Sequence, residues 1–208
     1  MHPRRTLTRL ARVVAIALLA LGGSLVAGAT PAHAAVTYNS YFVYDKNPSD
    51  PTNSTLHWYV YRTDLDPPRL TTHETWRAGS GIGGTGAGKN DCATSRGWLP
   101  NGWYSMKLME TFNGSRIKGV VFQLNNKECA AGGTTRTELF VHSEMTSSGG
   151  QSCPTSGDDP FCWEGNGDYK SEGCIKLKPA DIKEAASYYK AVGNRANVNY
   201  SRKLLVTS

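Results

Sequence analysis

The chain has 208 residues and a formal charge of +6, but four of its 23 basic residues and none of its 17 acidic ones fall before position 35. The remainder carries 19 basic against 17 acidic residues, a net of +2, which excludes the dense positive surface that a nucleic-acid partner requires. The length suits one domain with enough chain to bury a core and is short for two.

Taken in chain order, Arg4, Arg5, Arg9 and Arg12 precede an uncharged apolar run over 13–21, followed by small residues ending in Ala32-His33-Ala34. That order predicts a secretory signal over 1–34, cut after Ala34; its apolar part is too short to span hydrocarbon unaided. Residues 35–208 are therefore expected outside the cytoplasm, secreted or wall-associated, with no stable membrane span. Within them, runs rich in β-branched and aromatic residues predict strands over 38–44, 56–62, 70–77, 103–112, 117–124, 137–141 and 204–207. Asn113-Gly114 between two of these runs marks a hairpin. Gly-rich stretches over 79–89 and 146–167 read as loops. The first nearly spells a phosphate-binding loop, but Asn90 stands where a hydroxyl would hold magnesium. One helix is expected late, with Pro179 in its first turn, Ile182, Ala185, Ala186, Tyr189 and Val192 as its apolar stripe, and Gly193 at its end. The fold class is mostly β, a single domain with one late α-helix.

All five cysteines, Cys92, Cys129, Cys153, Cys162 and Cys174, lie after position 34, and in an oxidising compartment an odd count leaves one unpaired. Fifteen arrangements exist. Cys153 and Cys162 flank a Pro-, Ser- and Asp-rich segment that reads as a stapled loop, and Cys92 and Cys129 bracket two strand-like runs. Those pairings leave Cys174 free; a bridge from Cys174 to Cys153 or Cys162 is the competing arrangement. A free thiol in an exported chain points to reactivity or to pairing with another chain.

Only three histidines follow position 34. His57 and His73 sit inside strand-like runs and read as packed or surface imidazoles. His142 ends an apolar run at the start of a Gly-rich loop, where sites are commonly built. Gly173 permits a sharp turn before the Cys174 sulfur, amides around Glu172, Gly173 and Cys174 can converge on an oxyanion, and a thiol needs only a nearby imidazole for activation.

Ser171-x-Gly173-Cys174-Ile175-Lys176, preceded by His142-Ser143 and, upstream, by Pro100-Asn101-Gly102-Trp103-Tyr104, resembles the L,D-transpeptidase (YkuD) catalytic domain over roughly the last half of the chain. The resemblance implies a β-sandwich acting on peptidoglycan stem peptides. Cys174 would attack the carbonyl of the third stem residue, expel the terminal D-alanine and form a thioester, which the side-chain amine of a second stem resolves into a 3→3 cross-link. His142 would move the proton, the Ser143 carbonyl would orient its ring, and Ser171, Gly173 and Cys174 would frame the oxyanion site, with Glu172 and Lys176 beside the substrate. No metal or organic cofactor is implied. The sequence departs from the family pattern in Glu172 for the usual histidine, in Lys176 for the usual arginine, and in the 29 positions between His142 and Ser171.

Passing the acyl group to water instead would make a carboxypeptidase or a toxin-like variant. From another class, the rival is a non-catalytic secreted β domain that binds cell wall. The acidic residues Asp158, Asp159, Glu164 and Asp168 read as a solvated face, the abundant Tyr and Trp as sheet core, and a monomer is expected.

Overall fold

A computed structural model describes residues 35–84, 86–154, 159–193 and 198–208, with the side chains of 192, 193 and 198–201 left out. The expected export signal over 1–34 lies outside the described residues, and Val192 of the helical stripe outside the described side chains.

Alternation along each strand decides what faces inward. In β1 (Tyr38–Asp45) Phe42 and Tyr44 are buried while Tyr41 and Val43 are only half-buried. In β2 (Ser54–Arg62) Leu56, Trp58 and Val60 are buried, and His57, Tyr59 and Tyr61 face out. β3 (Arg69–Ser80) and β4 (Gly102–Asn113) are longer, and β5 (Lys118–Leu124) returns from β4 through a turn closed by Gly114 N–H on the Ile117 carbonyl at 3.0 Å. β6 (Lys127–Glu128) and β7 (Thr135–Arg136) form a separate small ladder; β8 (Phe140–His142), β9 (Ile175–Lys176), α1 (Pro179–Gly193) and β10 (Val198–Thr207) complete the order.

Eight strands close in the order β1-β10-β4-β5-β8-β9-β3-β2. β3 pairs with β2 along most of its length and with β9 at Gly79 and Ser80; β4 pairs first with β10 and then with β5. These two strands pass from one sheet to the other, so the mostly β fold with one helix takes the form of two sheets joined into a barrel. Inward-facing Phe42, Trp58, Trp76, Phe122, Val141 and Ile175 form one core, into which α1 inserts Ile182, Ala185 and Ala186 as its spacing predicts. Burying each large side chain contributes about 2 kcal/mol. Tyr188 stacks on Trp58 at 4.8 Å, and Trp76 Nε1 donates to Glu184 at 2.9 Å, fixing the helix over the barrel interior.

The β8–β9 pairing is parallel, with Val141 opposite Ile175 and His142 opposite Lys176. A parallel pair needs a crossover of a dozen or more residues, and 143–174 is that crossover. Its length is the long gap seen between His142 and Ser171. Cys153 is bonded to Cys162 within it, Cys92 is bonded to Cys129, and Cys174 is free. The two disulfides indicate an oxidising, extracytoplasmic environment. Among the described residues no helix is long and apolar enough to cross a membrane.

Some elements differ from expectation. The run over 137–141 becomes a strand only at Phe140, because Glu138 takes a positive φ of 53° that breaks the extension before it. β3 continues to Ser80, past the predicted start of the Gly-rich loop. In that loop Gly83 and Gly88 pack backbone to backbone: a Cβ on Gly88 would stand 2.1 Å from the Gly83 carbonyl oxygen.

Candidate active site

With Val141 and Ile175 pointing inward, period-two alternation turns Phe140, His142, Cys174 and Lys176 to the opposite face of the β8–β9 pair. The proposed nucleophile and base thus share one face, two positions apart along the strands. Both are nearly buried, Cys174 at 8% and His142 at 7% exposure. The sulfur packs with Val121 and Phe140 beneath Met109, Phe112 and Ile117 of the β4–β5 hairpin, and the Phe112 and Phe140 rings lie 5.3 Å apart. Two further contacts hold that hairpin down. Arg116 pairs with Glu172 at 3.3 Å, and Lys118 Nζ lies 4.1 Å from the centre of the Phe161 ring of the crossover.

His142 Nδ1 faces the Ser143 carbonyl at 3.1 Å. Donation to that oxygen fixes the proton on Nδ1 and leaves the Nε2 lone pair as the base. Burial, and then the Lys176 ammonium, push the imidazole down to about 3, with the Ser143 bond pulling in the other direction. Burial pushes the Cys174 thiol up to about 11, against the opposing pull of the Phe140 backbone, Arg136 and Lys176. The resting pair is therefore thiol and neutral imidazole. Among the described residues no hydrogen bond joins them; the thiol donates to the Glu138 carbonyl at 3.6 Å, an oxygen aimed there by the positive φ of that residue.

A pH prediction follows from these shifts. Alkylation of Cys174 by iodoacetamide should rise about tenfold per pH unit between pH 7 and 9 and level off only toward pH 11, because the thiolate fraction limits the rate. A plateau near neutrality would reveal a preformed thiolate–imidazolium pair and contradict the neutral resting state.

Glu172 stands where an inward carboxylate would oppose thiol ionisation. Its side chain instead points to solvent, 61% exposed and paired with Arg116, and it ranks last among the influences on Cys174. Ser171 braces the turn: its Oγ donates to the Cys174 carbonyl at 2.6 Å and accepts from the Gly81 and Gly173 amides at 3.0 and 3.2 Å. The Ser171 amide itself donates to the Gly81 carbonyl at 3.0 Å. Two of the three expected oxyanion donors are thus engaged at rest, and the Cys174 amide stands nearest the sulfur. Gly173 has φ of 117°, and a Cβ there would fall 1.9 Å from Arg136 Nη2. Only glycine fits.

Arg136 is the residue that sequence reasoning missed. Its guanidinium, 3% exposed, donates to the carbonyls of Asp91, Trp98, Gly97 and Glu172 at 2.8 to 3.4 Å. It fastens the nucleophile turn to the loop held by Cys92 and favours the Cys174 thiolate. A lone arginine in a threonine-rich run just before β8 carries no motif.

Lys176 is held by Glu144 in a buried ion pair, opposite His142 in register. Beside that pair opens a cleft of about 300 Å³ lined by Glu144, Gly167, Asp168, Lys170 and Lys176. Lys170 is exposed at this cleft, and among the described residues no carboxylate pairs with it. Asp168 is not part of a solvated face: it is 9% exposed and accepts the Glu164 and Gly165 amides at 2.5 and 2.7 Å. Glu144, Glu164 and Asp168 bring carboxylate oxygens within 4.8 Å of one another, with Glu144 bound to Lys176 and Asp168 bound to two amides. Asp158 lies outside the described residues.

No protein-family model matches the chain, and no curated protein matches it. Among solved structures, that of Bdellovibrio bacteriovorus Bd1075 is similar with a TM-score of 0.41 and 15% identity, over 81% of this chain and 47% of that one. The chain spans about half the length of that structure.

Proposed function

We propose that this chain is an exported cysteine acyltransferase of the L,D-transpeptidase type acting on peptidoglycan stem peptides. The observation that carries the reading is the free Cys174, left out of both disulfides and set on one face with His142, whose tautomer the Ser143 carbonyl fixes as a base. The motif around these residues supplies the substrate class.

In the first step Cys174 Sγ attacks the carbonyl carbon of the third stem residue while His142 Nε2 takes the thiol proton. With both groups neutral at rest, proton movement accompanies attack rather than preceding it. The Cys174 amide meets the developing oxyanion, and the Gly173 amide adds to it once released from Ser171 Oγ. Collapse breaks the bond to D-alanine, whose amine receives the proton from His142, and leaves a thioester. An amine of a second stem then attacks, giving its proton to His142, and the thiol is restored with a new amide bond. The β4–β5 hairpin, with Phe112 over the sulfur, must lift for the stem to enter.

Lys170, unpaired with any carboxylate among the described residues, is a cation of the adjoining cleft and a partner for a stem carboxylate now that Lys176 is bound by Glu144. Lys170→Met should raise KM for a tetrapeptide donor about fivefold with kcat nearly unchanged, the size of one exposed charge pair. Steady-state kinetics of D-alanine release measures this.

The reading itself is tested by incubating the protein with a muropeptide tetrapeptide and following D-alanine and cross-linked dimer by mass spectrometry. Release that disappears in Cys174→Ala supports it; no release by the parent protein, or equal release by the variant, rejects it. Free tripeptide without dimer would assign the acceptor to water.

A further inference from the structure

The outer face of the sheet formed by β3, β2, β1, β10 and β4 carries rings where an exposed sheet face ordinarily carries polar side chains. Tyr41, His57, Tyr59, Tyr61, His73 and Trp103 all stand on it, none of them among the buried residues, and Trp103 is 49% exposed. They form one continuous surface. Trp103 meets Tyr41 edge-on at 5.8 Å, Tyr41 stacks on Tyr61 at 6.0 Å and lies 6.0 Å from Tyr59, and Tyr59 stacks on His73 at 4.4 Å with planes 6° apart. Five strands at the usual spacing make this a shelf about 19 Å wide. The core does not need these rings: Tyr44, Trp58, Trp76 and Tyr104 fill it from the other side of the same strands. A contiguous exposed aromatic surface marks a binding face.

Three features select the occupant. The barrel is closed, so these strands have no free edge on which an extended peptide could pair. Asp45 borders the rings closely enough to act on His57 and Tyr59, Arg62 at the rim is bound by Asp64 through hydrogen bonds of 2.8 to 3.1 Å, and Lys203 of β10 stands exposed on the same face, so its charges are mixed rather than of one sign. Polar atoms sit among the rings: His57 Nδ1 lies 2.9 Å from His73 Nε2, and both lie 3.1 Å from Thr75 Oγ1. Flat apolar faces rimmed by hydroxyl and imidazole groups match a ligand with apolar faces and hydroxylated edges.

We infer that this shelf binds a neutral glycan strand, with one pyranose ring stacked on Trp103 and the next lying along the ring edges of Tyr41 and Tyr59, their hydroxyls bonded by the tyrosine hydroxyls and the His57–His73–Thr75 group. It lies on the other sheet from Cys174 and functions without the thiol. Such a surface would hold the protein on a polysaccharide while the Cys174 face works on attached peptides.

Isothermal titration of the purified protein with a β-1,4-linked N-acetylglucosamine hexamer tests the inference. Saturable binding is expected, weakened about tenfold in Trp103→Ala and in Tyr41→Ala and unchanged in Cys174→Ala. Tyr61→Ser at the rim serves as a third variant should either ring substitution disturb folding, which near-UV circular dichroism reports. No binding by the parent protein, or equal binding by folded ring variants, would overturn the assignment. So would ring variants that instead lose binding to single-stranded DNA or lose self-association in sedimentation, outcomes that give the face to a polyanion or a second copy. A parent protein that forms the thioester yet binds no saccharide overturns this inference alone, and one that binds saccharide yet forms no thioester overturns only the acyl-transfer reading.

Discussion

Converting Arg136 to methionine is expected to lower the melting temperature by about 10 °C and to slow iodoacetamide alkylation of Cys174 at pH 8 by about tenfold. The guanidinium satisfies four carbonyls, and hydrogen bonds from a charged donor contribute about 1.5–3 kcal/mol each. Methionine fills part of the space but none of the bonds, so a net loss of about 3–4 kcal/mol is expected. The slower alkylation has a separate origin. Arg136 is among the groups that favour the thiolate against burial, and removing it raises the thiol further. Arg136→Lys keeps the charge without the fork, so it should lose stability while alkylating faster than the methionine variant. Loss of stability with unchanged alkylation in a folded methionine variant would reduce Arg136 to a structural brace.

His142→Ala should slow acylation of Cys174 by a stem peptide about 10²–10⁴-fold at pH 7, the usual contribution of a positioned base. The deficit should narrow toward pH 10, where hydroxide generates thiolate without help. His142 also leaves a mark on stability. Its folded value, about 3, lies below that of a free imidazole near 6.5, so the stability it confers is complete above pH 6.5 and is lost as pH falls toward 3. Chemical denaturation of His142→Gln should lack that acid limb while keeping the rest of the pH dependence. An unchanged acid limb would show that the ring is solvated rather than buried.

β1 to β5 and α1 were legible because each shows alternation or a helical stripe over enough residues to declare its period, whereas only 204–207 of β10 was expected. β1, β2, β4 and β5 fall within a few residues of expectation. β6, β7 and β9 were not legible, since two residues show no period at all. Nor could alternation reveal that β3 and β4 serve both sheets, because barrel closure depends on pairing partners distant in sequence. Gly173 stood out through local chemistry and Ser143 and Ser171 through the motif the sequence resembles, and the structure gives each a definite contact. Arg136, Glu144 and Glu138 did not stand out. Their importance comes from a carbonyl cage, a buried ion pair and one positive φ, all created by chain segments that meet only on folding. Glu172 shows the reverse: beside the thiol in the motif, it turns its side chain outward to Arg116 and opposes ionisation only weakly. The aromatic residues of the strands divided in a way composition could not show, with Phe42, Tyr44, Trp58, Trp76, Tyr104 and Phe122 in the core and Tyr41, Tyr59, Tyr61 and Trp103 on the outer shelf.

Intact-mass measurement after incubation with a carbapenem tests most directly whether Cys174 is an acylatable nucleophile. One adduct of the carbapenem mass is expected on the parent protein, absent from Cys174→Ala and formed far more slowly on His142→Ala. A parent protein that stays unmodified, or an adduct that persists when the sulfur is removed, would contradict the account.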